Sequence, residues 1–319
     1  MLKSKLTRRL LYLLTGVFVL MNVVAFFHAY KFTHFTSNAS ERTKGIVKLT
    51  TTKKLKALFM GMDNPHPVNK TLPAQKFETF KIKSNVMLEC WSIKADSAKG
   101  MVILFHGYTG TKSAMLDKSD ELVKLGYSVW LVDFMGSGGS EGNRTTVGVE
   151  EAREVKDCYE YAMAKGEQNI CLLGTSMGAA AILKAVSDYK LQPAAIILEC
   201  PFGTMYETTC ARFRAMHVPA VPMAALLDFW GGVQNGFWAF SHNPIDYARA
   251  VHIPTLLMYG EQDARVSRWE TDSIFANLAG VKQLKTYPLA GHESYMKKYR
   301  VEWTGDVDVF LRNAMPVSN

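Results

Sequence analysis

Ile170-Cys171-Leu172-Leu173-Gly174-Thr175-Ser176-Met177-Gly178-Ala179-Ala180-Ala181 is the stretch on which the reading of this chain turns. Its first four residues are a short unbroken apolar run, the pattern of a strand buried on both faces. After Ser176 the residues become small and helix-favouring and continue to Asp188. Between the two lies G-x-S-x-G. A serine on so sharp a strand-to-helix turn takes a strained backbone and holds its hydroxyl out at the top of a sheet. The flanking glycines remove side chains that would collide there. The helix start behind the serine offers backbone N–H groups to a developing oxyanion.

An activated serine needs a base and an orienting acid, which sets what to look for downstream. Thr255 to Tyr259 is another buried-strand run, and Gly260-Glu261-Gln262-Asp263-Ala264-Arg265-Val266 follows it. Asp263 is therefore expected at the carboxyl end of a sheet, where catalytic groups gather. Leu289-Ala290-Gly291-His292-Glu293 follows the last strand, Gln283 to Tyr287, and precedes the closing helix from Tyr295 to Arg312. The order nucleophile, acid, histidine selects Ser176, Asp263 and His292. Glu199, at the end of the strand Ala194 to Leu198, is the competing acid. His106, His217, His242 and His252 are assigned to packing or loop order.

Upstream, Met101 to Phe105 reads as a buried strand that runs into His106-Gly107-Tyr108-Thr109-Gly110. The turn after this strand supplies the second oxyanion donor, so the backbone N–H groups of Tyr108 and Met177 form the expected pair. Phe77 to Lys83 and Val86 to Ile93 read as a hairpin. Further strands and helices alternate at Lys112 to Leu125, Tyr127 to Val132 and Val149 to Ala164. The sum is a mostly parallel central sheet with helices on both faces. The glycine-rich loop Asp133 to Gly142 lacks both the dinucleotide spacing and a Walker lysine, so it is read as a rim of the site.

The rhythm breaks between about 202 and 247, an insertion rich in aromatic and methionine side chains. Phe213, Met216, Phe229 and Trp230 are its candidate substrate-binding residues, because an apolar, adaptable wall suits acyl groups. Simple packing of the insertion onto the body is the competing reading.

These motifs together, HGYTG at 106–110, the 133–142 loop, GTSMG at 174–178, GEQDARV at 260–266 and AGHES at 290–294, resemble the α/β-hydrolases. The resemblance is to the serine-aminopeptidase-like and monoglyceride-lipase-like group, including membrane-anchored hydrolases of the Bem46 type, and it spans about 76 to 313. It implies acyl transfer through Ser176 with His292 as base and Asp263 holding the imidazole. It also implies a helical cap at the insertion, and neither a metal nor an organic cofactor. A carboxylic-ester hydrolase acting on lipid-like or small acyl esters, thioesters included, is the leading expectation. A serine peptidase or amidase is the alternative, with Glu199 as the anchor for a substrate amine. A catalytically silent scaffold is the third reading.

The N-terminus reads separately. Leu10 to Phe27 carries no charge and follows Lys3, Lys5, Arg8 and Arg9. Its length and flank suit a membrane-spanning helix with a cytoplasmic N-terminus and the catalytic domain outside. A signal peptide cut near Val23-Val24-Ala25, giving a secreted or periplasmic enzyme, is the alternative. The expected divisions are thus an anchor over 1–30, a basic stalk over 31–75 and a hydrolase domain over 76–319. The net charge of +8 is scattered outside the N-terminal region and no nucleic-acid motif accompanies it, so nucleic acid is not an expected partner. Five cysteines with no C-x-x-C exclude a zinc-site reading, while a Cys200–Cys210 bridge and buried thiols both stay open.

Overall fold

The computed structural model describes residues 2–37 and 51–316. In chain order its elements are α1 (Leu2–Thr33), β1 (Phe35–Thr36), α2 (Thr51–Met60), β2 (Asn64–Pro65), β3 (Glu78–Lys83), β4 (Met87–Ile93) and β5 (Met101–Phe105). There follow α3 (Leu116–Lys124), β6 (Ser128–Val132), α4 (Glu151–Ala164), β7 (Ile170–Thr175), α5 (Met177–Tyr189) and β8 (Ala195–Glu199). After α6 (Met205–Ala215), α7 (Met223–Asn235) and α8 (Pro244–Tyr247) come β9 (Thr255–Gly260), α9 (Arg268–Asn277), β10 (Lys282–Tyr287) and α10 (Met296–Ala314).

Eight strands form one sheet in the order β10-β9-β8-β7-β5-β6-β4-β3. From β10 to β6 every pairing is parallel, while β4 and β3 add antiparallel at the edge. The apolar runs at β5, β6, β8 and β9 are buried along their whole length, as strands covered on both faces must be. Alternation splits their side chains between two cores. Ile103 and Phe105 join Ile182 and Val186 of α5, whereas Val102 and Leu104 join Trp303 and Phe310 of α10. Parallel pairing points every β-to-helix turn of the central strands to one edge, so Ser176, Asp263 and His292 meet although up to 116 residues separate them.

The chain leaves the sheet after β8 and returns at β9. The cap formed in between carries α6, α7 and α8. Thr204 accepts from the Glu207 N–H and opens α6, and Asn243 does the same for α8.

The N-terminal segment departs from the expected tether. Its described part folds onto the body: β1 pairs with β2, the Thr145 N–H donates to the Thr33 carbonyl (2.8 Å), and the Phe35 N–H donates to the Asn143 carbonyl (2.6 Å). The Gly138 N–H donates to Pro67 (2.9 Å), and Asn69 donates to Asp133 (2.7 Å). The 133–148 loop therefore grips the N-terminal strap, and within it Val147 lines the cavity beside Ser176. Arg42 and Lys44 of the basic stretch lie outside the described residues.

Among the described residues one helix is long and apolar enough to cross a membrane, Lys5–Thr33 within α1. Residues 5–20 are exposed, whereas Ala25 and Ala29 are buried against α7. Small residues at four-residue spacing let the two helices approach closely. All five cysteines are buried thiols, Cys200 and Cys210 among them.

Candidate active site

Ser176 sits between β7 and α5 with φ 53° and ψ −110°, a conformation that costs a non-glycine residue on the order of 1–3 kcal/mol. Two close approaches make the turn possible. A Cβ at Gly178 would lie 2.3 Å from the Phe105 carbonyl oxygen, and one at Gly174 would lie 2.5 Å from the Gly178 carbonyl carbon. The Ser176 N–H donates to the Glu199 carbonyl (2.7 Å), fixing the turn to the neighbouring strand.

The Ser176 hydroxyl donates to His292 Nε2 (3.0 Å), and His292 Nδ1 donates to Asp263 Oδ2 (2.7 Å). Asp263 Oδ1 accepts from the Arg265 and Val266 N–H groups (2.7 and 2.9 Å). The carboxylate is fully buried, so it is aimed by backbone and not by solvent. Beyond that turn α9 begins with a capping box between Ser267 and Glu270, and Glu270 also accepts from the Gly203 N–H (2.9 Å). One helix start thus ties the Asp263 loop to the base of the cap. Burial works against a charged His292. Cys200 and Asp263 outweigh it and hold the imidazole above its ordinary value.

Met177 opens α5, where the first-turn N–H groups lack intrahelical acceptors. The turn after β5 lies against the serine, since a Cβ at Gly107 would be 3.5 Å from the Ser176 Cβ. Tyr108, Met177, Ser176 and His292 line one cavity of about 640 Å³.

The competing residues are otherwise engaged. His106 is buried, donates from Nδ1 to the Gly107 carbonyl (2.8 Å) and accepts at Nε2 from the Phe134 N–H (3.1 Å). Glu199 is fully buried and accepts from Thr175 (2.8 Å) and Trp303 Nε1 (2.7 Å), with Lys118 at 3.4 Å. It does not line the cavity and cannot anchor a substrate amine there. His242 is buried and bonds through Nε2 to the Val147 carbonyl (3.2 Å).

The four cap residues divide. Met216 lines the serine cavity and a second one of about 870 Å³, and Phe213 lines the second. Phe229 and Trp230 line neither. Trp230 packs edge-on against Phe26 and donates to Asn22 (3.1 Å), so this face of α7 meets α1, while Phe229 lies edge-on to Trp230 and is exposed. The helical repeat turns α7 so that one face meets α1 and another meets the cavity, which composition alone does not resolve.

Two contributions had no clear signal in the sequence. Cys200 follows β8 with φ 40°, and its sulfur lies within 4.8 Å of the polar atoms of Asp263 and His292. The N-terminal segment brings Lys31, Phe32, Met62, Asp63 and Asn64 into the serine cavity. The Tyr108 hydroxyl donates to the Phe32 carbonyl (2.7 Å) and accepts from Asn64 (3.0 Å), and the two rings stack at 4.5 Å. The Arg212 guanidinium from α6 lies over the Phe32 ring at 3.8 Å.

Comparison with known proteins agrees with this architecture. Residues 96–228 match the family described as "Serine aminopeptidase, S33". The uncharacterized protein Rv2307c of Mycobacterium tuberculosis is 26% identical over 254 residues, covering 78% of this chain and 83% of that protein. YqkD of Bacillus subtilis, also uncharacterized, is 24% identical over 79% of this chain and 84% of its own length. Among solved structures, the Pyrococcus furiosus esterase Pf2001 superposes with a TM-score of 0.64 at 23% identity, over 79% of this chain and 99% of the other. The chain has the α/β-hydrolase fold.

Proposed function

We propose that this protein is a serine hydrolase that cleaves carboxylic esters through an acyl-enzyme on Ser176. The observation that carries the reading is the unbroken chain Ser176–His292–Asp263, with links of 3.0 and 2.7 Å. In the first half-reaction Ser176 Oγ adds to the ester carbonyl while His292 Nε2 takes the hydroxyl proton. Asp263 keeps the proton on Nδ1 and stabilises the imidazolium. The Met177 and Tyr108 N–H groups receive the oxyanion. Collapse breaks the acyl–oxygen bond, and His292 returns its proton to the departing alcohol. Water, deprotonated by the same histidine, then adds to the acyl-enzyme and releases the acid.

Ester specificity is favoured over peptide cleavage because Glu199, the acid suited to a substrate amine, is buried and engaged. In this reading α1 is a retained single-pass anchor, with Lys3, Lys5, Arg8 and Arg9 on the cytoplasmic side and the hydrolase outside. Support comes from Ala25, at the tolerable cleavage site Val23-Val24-Ala25, which is fully buried.

The test is fluorophosphonate labelling of the detergent-solubilised full chain and its Ser176→Ala variant, with ester and peptide panels alongside. Labelling and ester turnover that both vanish in the variant are expected. Well-folded wild type that takes no label would overturn an activated serine. Turnover confined to peptides would replace the esterase by a peptidase.

A further inference from the structure

The larger cavity, about 870 Å³, is walled on one side by Val24, His28, Ala29 and Phe32 of α1 and on the other by α6 and α7. It adjoins the serine cavity: His28, Phe32, Met62, Val147, Arg212 and Met216 line both. The two differ in chemistry. Lys31, Asp63, Arg212 and Arg265 line the serine cavity. The larger one is walled mainly by apolar side chains, including Met205, Phe213, Met223, Leu227 and Phe237. Leu58 of α2 (62% exposed), which also lines this cavity, and Val221 (70%) and Trp238 (58%) of the cap are exposed apolar side chains. Exposed aliphatic and aromatic groups in a protein with a membrane-length helix are suited to the acyl and headgroup boundary of a bilayer.

We propose that α1 is a wall of the substrate site as well as an anchor, and that the cavity it closes with α6 and α7 takes a long acyl chain of a bilayer lipid ester. The inference rests on the ester-hydrolase reading and names its substrate class. The serine cavity receives the ester and headgroup, and the apolar cavity receives the chain. About 870 Å³ lies within the range of roughly 300–1,000 Å³ usual for ligand pockets. Ala29 lines this cavity and also faces Gly231 of α7, where an added Cβ would stand 4.0 Å from the Ala29 Cβ, an ordinary contact distance. The acyl–oxygen bond breaks at Ser176 as above. The chain stays in the cavity as the acyl-enzyme until water releases the free acid.

The experiment uses the full-length protein in detergent micelles with p-nitrophenyl butyrate and p-nitrophenyl palmitate. Ala29→Phe narrows the cavity from α1, and Leu227→Trp narrows it from α7. In both, the palmitate-to-butyrate ratio of kcat/KM is expected to fall at least tenfold. A ratio within twofold of wild type in folded variants would overturn the proposal. A readout independent of turnover uses a photoactivatable diazirine palmitate on the Ser176→Ala protein. Adducts mapping to α1 from Val24 to Phe32 and to the facing residues of α6 and α7, competed by palmitate, are expected. Adducts confined to the outer surface would overturn the acyl site, and this measurement decides if the bulky variants do not fold. Wild type that cleaves no ester but places the label in the cavity would remove the esterase reading and keep the acyl site. Butyrate cleavage with no internal label would do the reverse.

Discussion

Ser176 and His292 divide the local work between strain and charge. The serine holds a positive φ because Gly174 and Gly178 let the backbones of β5, β7 and α5 close in around it. Replacing Ser176 by Ala should reduce ester kcat by about 10⁶-fold, the loss typical of removing such a nucleophile, measured by burst-corrected turnover. The pH profile follows from the neighbours of His292. Only neutral imidazole accepts the serine proton, so kcat/KM must rise as pH climbs through the histidine pKa. Cys200 and Asp263 hold that value above the ordinary 6.5, which places the limb on the alkaline side of 6.5. In Asp263→Asn the raising carboxylate is gone, so the limb should move to lower pH while kcat falls by about 10⁴-fold. An unmoved limb would mean that another group titrates.

At the scale of elements, the junction between α1 and the turn after β5 is the unusual feature. The Tyr108 hydroxyl joins the end of α1 to the strap at Asn64, and its backbone is the proposed oxyanion donor. Tyr108→Phe keeps the ring stacked on Phe32 but loses both hydroxyl contacts. We expect kcat to fall about three- to tenfold with KM nearly unchanged, since a loosened donor acts on the transition state. Asp228 of α7 makes a separate case. One oxygen accepts from Thr209 (2.6 Å), and the other has no partner among the described residues. Burial pushes its carboxyl up to about 6. The folded protein therefore binds this proton more tightly than the unfolded chain, and stability falls as pH rises from about 4 to 6. Asp228→Asn should raise Tm at pH 7.5 by an amount worth up to about 2–3 kcal/mol. The gain should vanish near pH 4 in thermal melts of the two proteins.

Across the whole molecule, a buried ionic cluster fastens the N-terminal strap, the 133–148 loop and the sheet edge together. Lys112 contacts Asp133, both side chains being fully buried, and reaches Glu89 at 2.8 Å. Asp133 also accepts from the Gly139 N–H (2.9 Å) and from Asn69 of the strap (2.7 Å). Removing one partner leaves an uncompensated buried charge, which costs roughly 3–5 kcal/mol. Lys112→Met should therefore lower the urea midpoint strongly, whereas Lys112→Met with Asp133→Asn should recover part of the loss. Equal destabilisation in the single and double variants would show that the pair is not coupled.

The alternation of strands and helices and the strand-to-helix turn at Ser176 could be read from the chain because each depends on local signals. Apolar runs, turn glycines and strand ends are properties of a few neighbouring residues. The extent of the N-terminal segment was not legible in this way. Nothing in residues 51–75 announces that they close against Asp133 and Tyr108, because those partners are 64 and 44 residues away and use single hydrogen bonds. The same holds for Phe229 and Trp230, whose aromatic character suited a substrate wall but whose helical phase turns Trp230 toward α1 and leaves Phe229 exposed. The sequence by itself determined a mostly parallel sheet, its strand-to-helix turn at Ser176 and an apolar N-terminal helix. Tertiary structure alone decided that this helix packs on the cap and walls a cavity adjoining that of the serine. That outcome depends on which small and aromatic faces of α1 and α7 fit together, a relation no single segment contains.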